Sequence, residues 1–105
     1  MVQVFISHSS RDTNLAKSVI DLLRSALNLP ASEIRCTSVP GYKLPGGAET
    51  DNQLRSELLE APVFVGLVTE AGMASAYVLF ELGARWGAKK QLIPLLAPGV
   101  SPSIL

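Results

Sequence analysis

The chain has 105 residues, nine basic and nine acidic side chains, and a hydrophobic content of 48%. This composition indicates one globular domain with a substantial core and excludes a disordered chain. The zero net charge gives no support for broad electrostatic binding to nucleic acid or an anionic membrane, and no apolar run is long enough to span a bilayer. The single cysteine, Cys36, excludes a disulfide framework, favours a reducing cytoplasmic location and is expected to be a small buried side chain.

The amino-terminal segment predicts a strand followed by a helix. Residues 2–7, with the sequence VQVFIS, are mostly β-branched or aromatic and too few for a helix, which favours a buried strand. A polar loop follows and offers three N-cap residues (Ser10, Asp12 and Thr13) for a helix over residues 14–27. The apolar stripe of this helix is predicted to consist of Leu15, Val19, Leu22, Leu23 and Ala26.

The next segment predicts a second strand, a long loop and a short helix. Residues 33–39 form the strand. Residues 40–52 contain two prolines and three glycines, and a loop of this length inside a compact domain is often functional. The helix covers residues 51–60, with an apolar side turned toward the core.

The carboxyl-terminal part predicts two more strands around a helix. Residues 62–69 are a continuous apolar run, as expected of a central parallel strand. Residues 74–88 form a helix that is apolar on nearly every side, and residues 92–97 form a fourth strand in which Pro94 indicates a sheet edge or a bulge. The alternation of strands and helices predicts a parallel sheet covered on both faces, and such sheets bind ligands beyond the carboxyl ends of their strands.

One carboxylate, Glu81, lies in the middle of this apolar helix. Burial of an unpaired carboxylate is costly, so its position needs an explanation. Glu81 either forms a helical ion pair with Arg85 at i+4, or marks a narrow solvent-facing side, or faces a cleft together with Tyr77 at i−4. In the third case a ring and a carboxylate would project together, which suits a ribosyl ligand because carboxylates stabilise the oxocarbenium ion of glycoside cleavage.

Other kinds of site have less support. The chain contains neither of the glycine-rich motifs that bind dinucleotides or phosphates, and one His with one Cys cannot form a protein-only zinc site. His8 beside Ser9 lacks an activating third group, which disfavours a Ser-His hydrolase. The basic cluster of Arg85, Lys89 and Lys90 is expected to complement the negative end of its own helix.

Three segments, in the same order, resemble the Toll/interleukin-1 receptor (TIR) domain family, especially its bacterial members. VFISHSSRD, from Val4, resembles the first strand and loop of the family, and IRCTSVPGYKLPGG, from Ile34, resembles the second strand and the BB loop. SAYVLFELGA, from Ser75, resembles the motif S-x-W-x-x-x-E-L. The resemblance covers essentially the whole chain and implies an α/β, flavodoxin-like three-layer sandwich with the parallel sheet order 2-1-3-4(-5).

The same resemblance implies an NAD⁺ glycohydrolase, which cleaves the nicotinamide–ribose bond with NAD⁺ as substrate and with no cofactor or metal. Glu81 matches the catalytic glutamate of the motif. Tyr77 matches its aromatic position, with Tyr in place of the commoner Trp. Four further positions align with residues that line the nucleotide pocket in the family: His8 and Ser9 in the first loop, and Gly46 and Gly47 in the BB loop.

The resemblance also implies activation by self-assembly, here through the BB loop region 40–52 and the helix 74–88. Bacterial members are often fused to or associated with a sensor module and act in anti-phage or immune signalling. Because the family usually continues to a fifth strand and a last helix, residues 1–105 are expected to be a single TIR-like domain that is truncated or belongs to a longer effector–sensor protein. Neither nucleic acid nor a membrane is an expected partner.

Two alternatives to the hydrolase remain. The first is a non-catalytic TIR scaffold that acts through TIR–TIR interactions, in which Glu81 is retained as the ion-pair partner of Arg85. The second, weaker alternative is a relative of the nucleoside deoxyribosyltransferases, which share the flavodoxin-like fold and also use a glutamate on ribose.

Overall fold

The computed structural model describes residues 2–44 and 50–97, which form a parallel sheet flanked by helices. The sheet has the order β2-β1-β3-β4, and all neighbouring strands run parallel. This confirms the predicted α/β, flavodoxin-like architecture. The strands are β1 (Val4–Ser7), β2 (Ile34–Cys36), β3 (Val63–Val68) and β4 (Ile93–Leu96), and the helices are α1 (Thr13–Leu27), α2 (Thr50–Glu60), α3 (Glu70–Met73) and α4 (Ala76–Gly87).

Two predicted elements differ from the structure. The second strand ends at Cys36 because the chain turns back immediately afterwards, and the Cys36 N–H donates to the carbonyl oxygen of Tyr42 at 2.9 Å. The helix predicted to begin at Ala74 is preceded by the separate short helix α3. The helix α4 begins after Ser75, whose hydroxyl accepts a hydrogen bond from the N–H of Val78 at 3.3 Å and thereby caps it.

Side chains of β1 alternate between two cores, one on each face of the sheet. Val4 and Ile6 pack with residues of α1. Phe5 packs with Phe64 of β3 and with Leu58 of α2, and the rings of Phe5 and Phe64 are stacked with their centroids 5.6 Å apart. The same alternation directs Ser7, at the carboxyl end of β1, toward the face covered by α2 and α4.

The helix α1 is amphipathic as predicted, but its buried side is rotated from the predicted one. Ala16 and Ile20 are fully buried, and Val19 and Leu23 pack beside them. These four positions follow the i, i+3, i+4, i+7 spacing of one helix side. The prediction is therefore right for Val19 and Leu23, and it is wrong for the exposed side chains of Leu15, Leu22 and Ala26.

The helix α4 approaches the sheet closely where β1 and β3 carry small residues. Ser7 of β1 lies beside Gly66 of β3 in the sheet register. A Cβ atom at Gly66 would lie 2.5 Å from Cδ2 of Leu82 on α4, so a larger residue there would displace the Leu82 side chain. The helix α4 therefore packs close to the sheet at the level of Ser7.

The helix α4 buries its charged residues and exposes several of its largest apolar ones. Glu81 is 5% exposed and Arg85 is 1% exposed, whereas Phe80 is 78% and Trp86 is 76% exposed. The apolar character of this helix predicts burial in the core, and that expectation is wrong for its outer side, which also carries the exposed Leu79. No helix in the described ranges has both the length and the apolar character needed to cross a membrane.

Gly83 lies on the exposed side of α4 and is expected to be a site of easy stabilisation. A Cβ atom there would have no neighbour within 4 Å, so Gly83→Ala is expected to raise the free energy of unfolding by about 0.5–1 kcal/mol through helix propensity. Gly66→Ala is the matched control: its Cβ would displace the Leu82 side chain, so it should not give the same gain. Urea denaturation measures both changes, and a destabilised Gly83→Ala protein would show that another surface covers this side of α4 in solution.

Candidate functional site

A buried hydrogen bond joins the end of β1 to the middle of α4. The hydroxyl of Ser7 donates to Oε1 of Glu81 at 2.7 Å, and both side chains are buried. Strand alternation points Ser7 toward α4, and α4 lies close to the sheet beside Gly66. These two features bring the hydroxyl of Ser7 and the carboxyl of Glu81 into contact. The Glu81 carboxyl therefore lies at the carboxyl edge of the sheet, where ligands of parallel α/β sheets bind.

Burial changes the acid–base behaviour of Glu81. Desolvation raises the pKa of its carboxyl from 4.5 to about 7, and the hydrogen bond from Ser7 opposes that rise. In the described part of the chain no cation forms a salt bridge with Glu81. Near neutral pH the carboxyl is therefore divided between its protonated and ionised forms, which is the range in which a side chain can exchange protons with a substrate.

Arg85, one helical turn beyond Glu81, is held by backbone carbonyl groups. Its guanidinium donates to four carbonyl oxygens, two of them in the last turn of α2, and lies 5.6 Å from the centroid of the Phe64 ring. The acceptors are the carbonyl oxygens of Gln91 (2.8 Å), Leu58 (3.2 Å), Leu59 (3.3 Å) and Pro62 (3.4 Å). A cation at the end of α2 is stabilised by the partial negative charge of the last turn of that helix.

These contacts correct three predictions made for the helix 74–88. Glu81 and Arg85 do not form the predicted ion pair, because Arg85 turns to the carbonyl groups and Glu81 to Ser7. Glu81 does not mark a solvent-facing side, because it is buried. Arg85 complements the end of α2 and not the end of its own helix, although Lys89 and Lys90 follow α4 as exposed cations.

A pocket of about 320 Å³ lies between α2 and α4 and includes Glu81 in its wall. Tyr77, one turn before Glu81, lines the same pocket and is about half exposed. The structure thus brings together the aromatic ring and the carboxyl group that the sequence placed on one side of the helix. The remaining lining residues are mostly apolar: Leu54, Arg55, Leu58, Leu59, Phe80 and Ala84.

Known proteins that are similar in sequence support the assignment of the fold. A family profile described as "TIR domain" matches residues 4–104. The chain belongs to the TIR domain family. One relative, from Bacillus subtilis (strain 168) and described as "Uncharacterized protein YddK", is 26% identical over 102 residues. The alignment covers 97% of this TIR domain and 38% of that protein, so the chain spans well under half of the relative's length.

His8 of this TIR domain is part of a buried cluster and does not line the Glu81 pocket. Its Nδ1 lies 3.3 Å from the carbonyl oxygen of Ile6, and its Nε2 lies 2.5 Å from Oγ of Ser38. Desolvation lowers the pKa of His8 and outweighs the opposing effects of the Ile6 carbonyl and Asp12. The ring therefore links the end of β1 to the segment that follows β2.

The other predicted positions of the first loop also have structural partners. The hydroxyl of Ser9 accepts a hydrogen bond from the N–H of Arg11 and caps a short 3-10 helix, outside the pocket lining. Asp12 precedes α1 but makes no capping bond, and its carboxylate accepts a hydrogen bond from Thr69 at 2.5 Å. Gly46 and Gly47 lie outside the described residues, as do residues 45, 48 and 49 of the region 40–52.

Cys36 is fully buried beside His8, as predicted for a small hydrophobic side chain. Its Sγ lies 3.6 Å from Nδ1 of the ring. Burial raises the pKa of the thiol to about 12, so it carries almost no thiolate at neutral pH and is a poor nucleophile.

Sequence reasoning missed two residues at this site, Ser7 and Arg55. Ser7 had a usable signal, because it follows Phe5 by two positions and therefore shares its face of the sheet. The sequence contains no signal that singles out Arg55, because its helix carries several charged residues. Its place in the pocket depends on how α2 packs against α4.

Proposed function

We propose that this TIR domain is an NAD⁺ glycohydrolase in which Glu81 is the catalytic carboxylate. The observation that carries the proposal is the buried Glu81 carboxyl, held by Ser7 in a pocket that it shares with Tyr77. A structural carboxylate in such surroundings would be expected to have a cation as its partner, but Arg85 is engaged elsewhere. The family match supports the proposal, because the TIR domain family includes NAD⁺ hydrolases.

In the proposed reaction the bond between ribose C1′ and the nicotinamide nitrogen breaks. The bonding electrons go to the pyridinium ring, and neutral nicotinamide leaves behind an oxocarbenium ion. Ionised Glu81 accepts hydrogen bonds from the ribose hydroxyls and stabilises the positive charge at C1′. Water then adds to C1′ and releases a proton, giving ADP-ribose; attack by the adenine of the same molecule would give a cyclic product.

Tyr77 is proposed to bind the substrate by stacking. Its ring lines the pocket one turn from Glu81, and aromatic rings stack on planar heterocycles such as nicotinamide or adenine. The pocket volume of about 320 Å³ lies at the small end of the range for small-molecule sites, roughly 300–1,000 Å³. It suits the mononucleotide half of the substrate.

The proposal is tested by following nicotinamide release from NAD⁺ by chromatography, with the protein concentrated or artificially clustered. Glu81→Gln is expected to lower the rate at least about a hundredfold, as is usual when a catalytic carboxyl group is removed. In the parent protein kcat/KM should rise as the pH increases through about 7, because the ionised form of Glu81 is required. Glu60→Gln is the matched control, because Glu60 is exposed at the end of α2, and it should retain the parent rate. A clustered Glu81→Gln protein with the parent rate would refute the catalytic role.

The second candidate function is a TIR scaffold, and the exposed side of α4 favours it. Leu79, Phe80 and Trp86 are exposed apolar side chains of α4, of the kind that suits contact between TIR domains. The same surface supports self-assembly of the hydrolase through helix 74–88, so the two functions are separated by nicotinamide release and not by oligomeric state. A sensor module and a role in anti-phage or immune signalling rest on family resemblance alone. The TIR match favours the hydrolase and the scaffold over a deoxyribosyltransferase.

A further inference from the structure

Arg55 is the only basic residue among the described residues that line the pocket. It belongs to α2 and faces α4 across the pocket, so it lies on the opposite wall from Glu81 and Tyr77. The remaining lining side chains are apolar. The pocket thus combines a carboxyl group, an aromatic ring and a guanidinium within about 320 Å³.

Among the described residues, the guanidinium of Arg55 has no side-chain partner that would compete with a ligand. It makes no hydrogen bond or ion pair with any side chain in the described part of the molecule, and its own side chain is exposed. The nearby carboxylate of Glu57 is engaged by Arg35 at 2.7 Å and by Gln53 at 3.2 Å. Arg55 therefore differs from Arg24, Arg35 and Arg85, each of which is bonded to protein groups.

We propose that Arg55 binds the phosphate on the 5′ carbon of the ribose whose glycosidic bond is cleaved, and thereby makes the pocket prefer phosphorylated nicotinamide ribosides. This inference rests on the proposed function. A ribose whose 2′ and 3′ hydroxyls face Glu81 carries its 5′ carbon on the far side of the ring, toward the α2 wall. A planar guanidinium there can donate two parallel hydrogen bonds to phosphate oxygens, which is the geometry that makes Arg a selective phosphate ligand.

The charge balance of the pocket supports the same assignment. A phosphate placed near ionised Glu81 with no cation would be repelled, and its negative charge would favour the protonated form of the carboxyl. Arg55 offsets that charge, so the ionised form of Glu81 can persist with substrate bound. The specificity thus depends on Arg55, and the bond cleavage on Glu81.

The test is isothermal calorimetry with nicotinamide mononucleotide and nicotinamide riboside, which differ only in the phosphate. Arg55→Ala is expected to weaken mononucleotide binding about tenfold to a hundredfold, the usual effect of losing a charged hydrogen bond, and so to abolish the preference for it over the riboside. Arg55→Lys should give an intermediate loss. Lys17→Ala is the matched control, because it removes an exposed cation of α1, and it should leave the preference intact.

Two results would overturn the inference: an unchanged mononucleotide affinity in Arg55→Ala, or an equal loss for both ligands. Nicotinamide release measured on the same samples separates this inference from the proposed function. Arg55-dependent binding of the mononucleotide with no release, even by clustered protein, would leave the phosphate site standing and refute the hydrolase. A parent protein that binds neither ligand and releases no nicotinamide would refute both.

Discussion

Glu81→Gln, the substitution proposed to slow nicotinamide release, is expected to raise the free energy of unfolding by about 3 kcal/mol at pH 8. In the parent protein the folded state raises the pKa of Glu81 from 4.5 to about 7 because the carboxyl is buried. The native state therefore keeps a proton that the unfolded chain has already released. The resulting stability is fully present below about pH 4.5 and is lost as the pH rises through about 7, which at 1.36 kcal/mol per pKa unit amounts to about 3 kcal/mol.

Glutamine removes this loss because its amide stays neutral and its oxygen can still accept the hydrogen bond from Ser7. The two proteins should therefore have similar stability near pH 4.5 and should diverge up to about pH 8. His8 contributes in the opposite sense, since burial lowers its pKa and acid pH destabilises the fold. His8 is present in both proteins, so the difference between their urea denaturation curves isolates Glu81. A difference that does not change with pH would show that the carboxyl titrates normally.

Arg85→Met is expected to destabilise the fold by about 3–5 kcal/mol. The substitution keeps much of the apolar length of the side chain but removes the donor of four carbonyl groups. The carbonyl of Leu58, whose hydrogen bond is buried, is then left unsatisfied at a cost of about 1–3 kcal/mol. Loss of the other three, part-buried hydrogen bonds adds to that cost. Arg85→Lys should cost less, because the ammonium retains the charge and reaches some of the same oxygens. Denaturation in urea at pH 7 measures both variants.

Arg24→Met is the matched control for this substitution. Arg24 also donates to a carbonyl oxygen, that of Leu29 at 3.1 Å, and to the hydroxyl of Tyr42, but it is exposed. Water can replace its hydrogen bonds, so the loss should stay within about 1 kcal/mol. Equal effects at Arg24 and Arg85 would mean that water also reaches the end of α2, and that the Arg85 contacts contribute little to stability.

The strands and the sheet order could be predicted from the sequence because their signals are local. Residues 62–69 are a short continuous apolar run, which favours a buried strand. The alternation of strands and helices limits the connections to a few topologies. The position of Glu81 in the pocket wall beside Tyr77 follows from their spacing of four residues on one helix.

The side of α4 that faces the core could not be predicted in this way. Hydropathy favours burial of Phe80 and Trp86, yet the structure buries Glu81 and Arg85 because each finds partners in distant segments. Ser7 precedes Glu81 by 74 positions, and Leu58 precedes Arg85 by 27. No local pattern contains such contacts, and the i+4 spacing of the two charges indicated an ion pair instead.

The hydrogen bonds of Arg85 hold α2 at its carboxyl-terminal end, so a rotation of the helix would move its two ends by different distances. Leu58 and Leu59 are fixed at one end, whereas Arg55 lies about 4.5 Å and Thr50 about 12 Å along the axis from Leu58, at a rise of 1.5 Å per residue. A small rotation about the fixed end therefore moves the first turn of α2 almost three times as far as Arg55. The α2 residues that line the pocket, all within residues 54–59, lie nearer the fixed end and would therefore move less than the first turn.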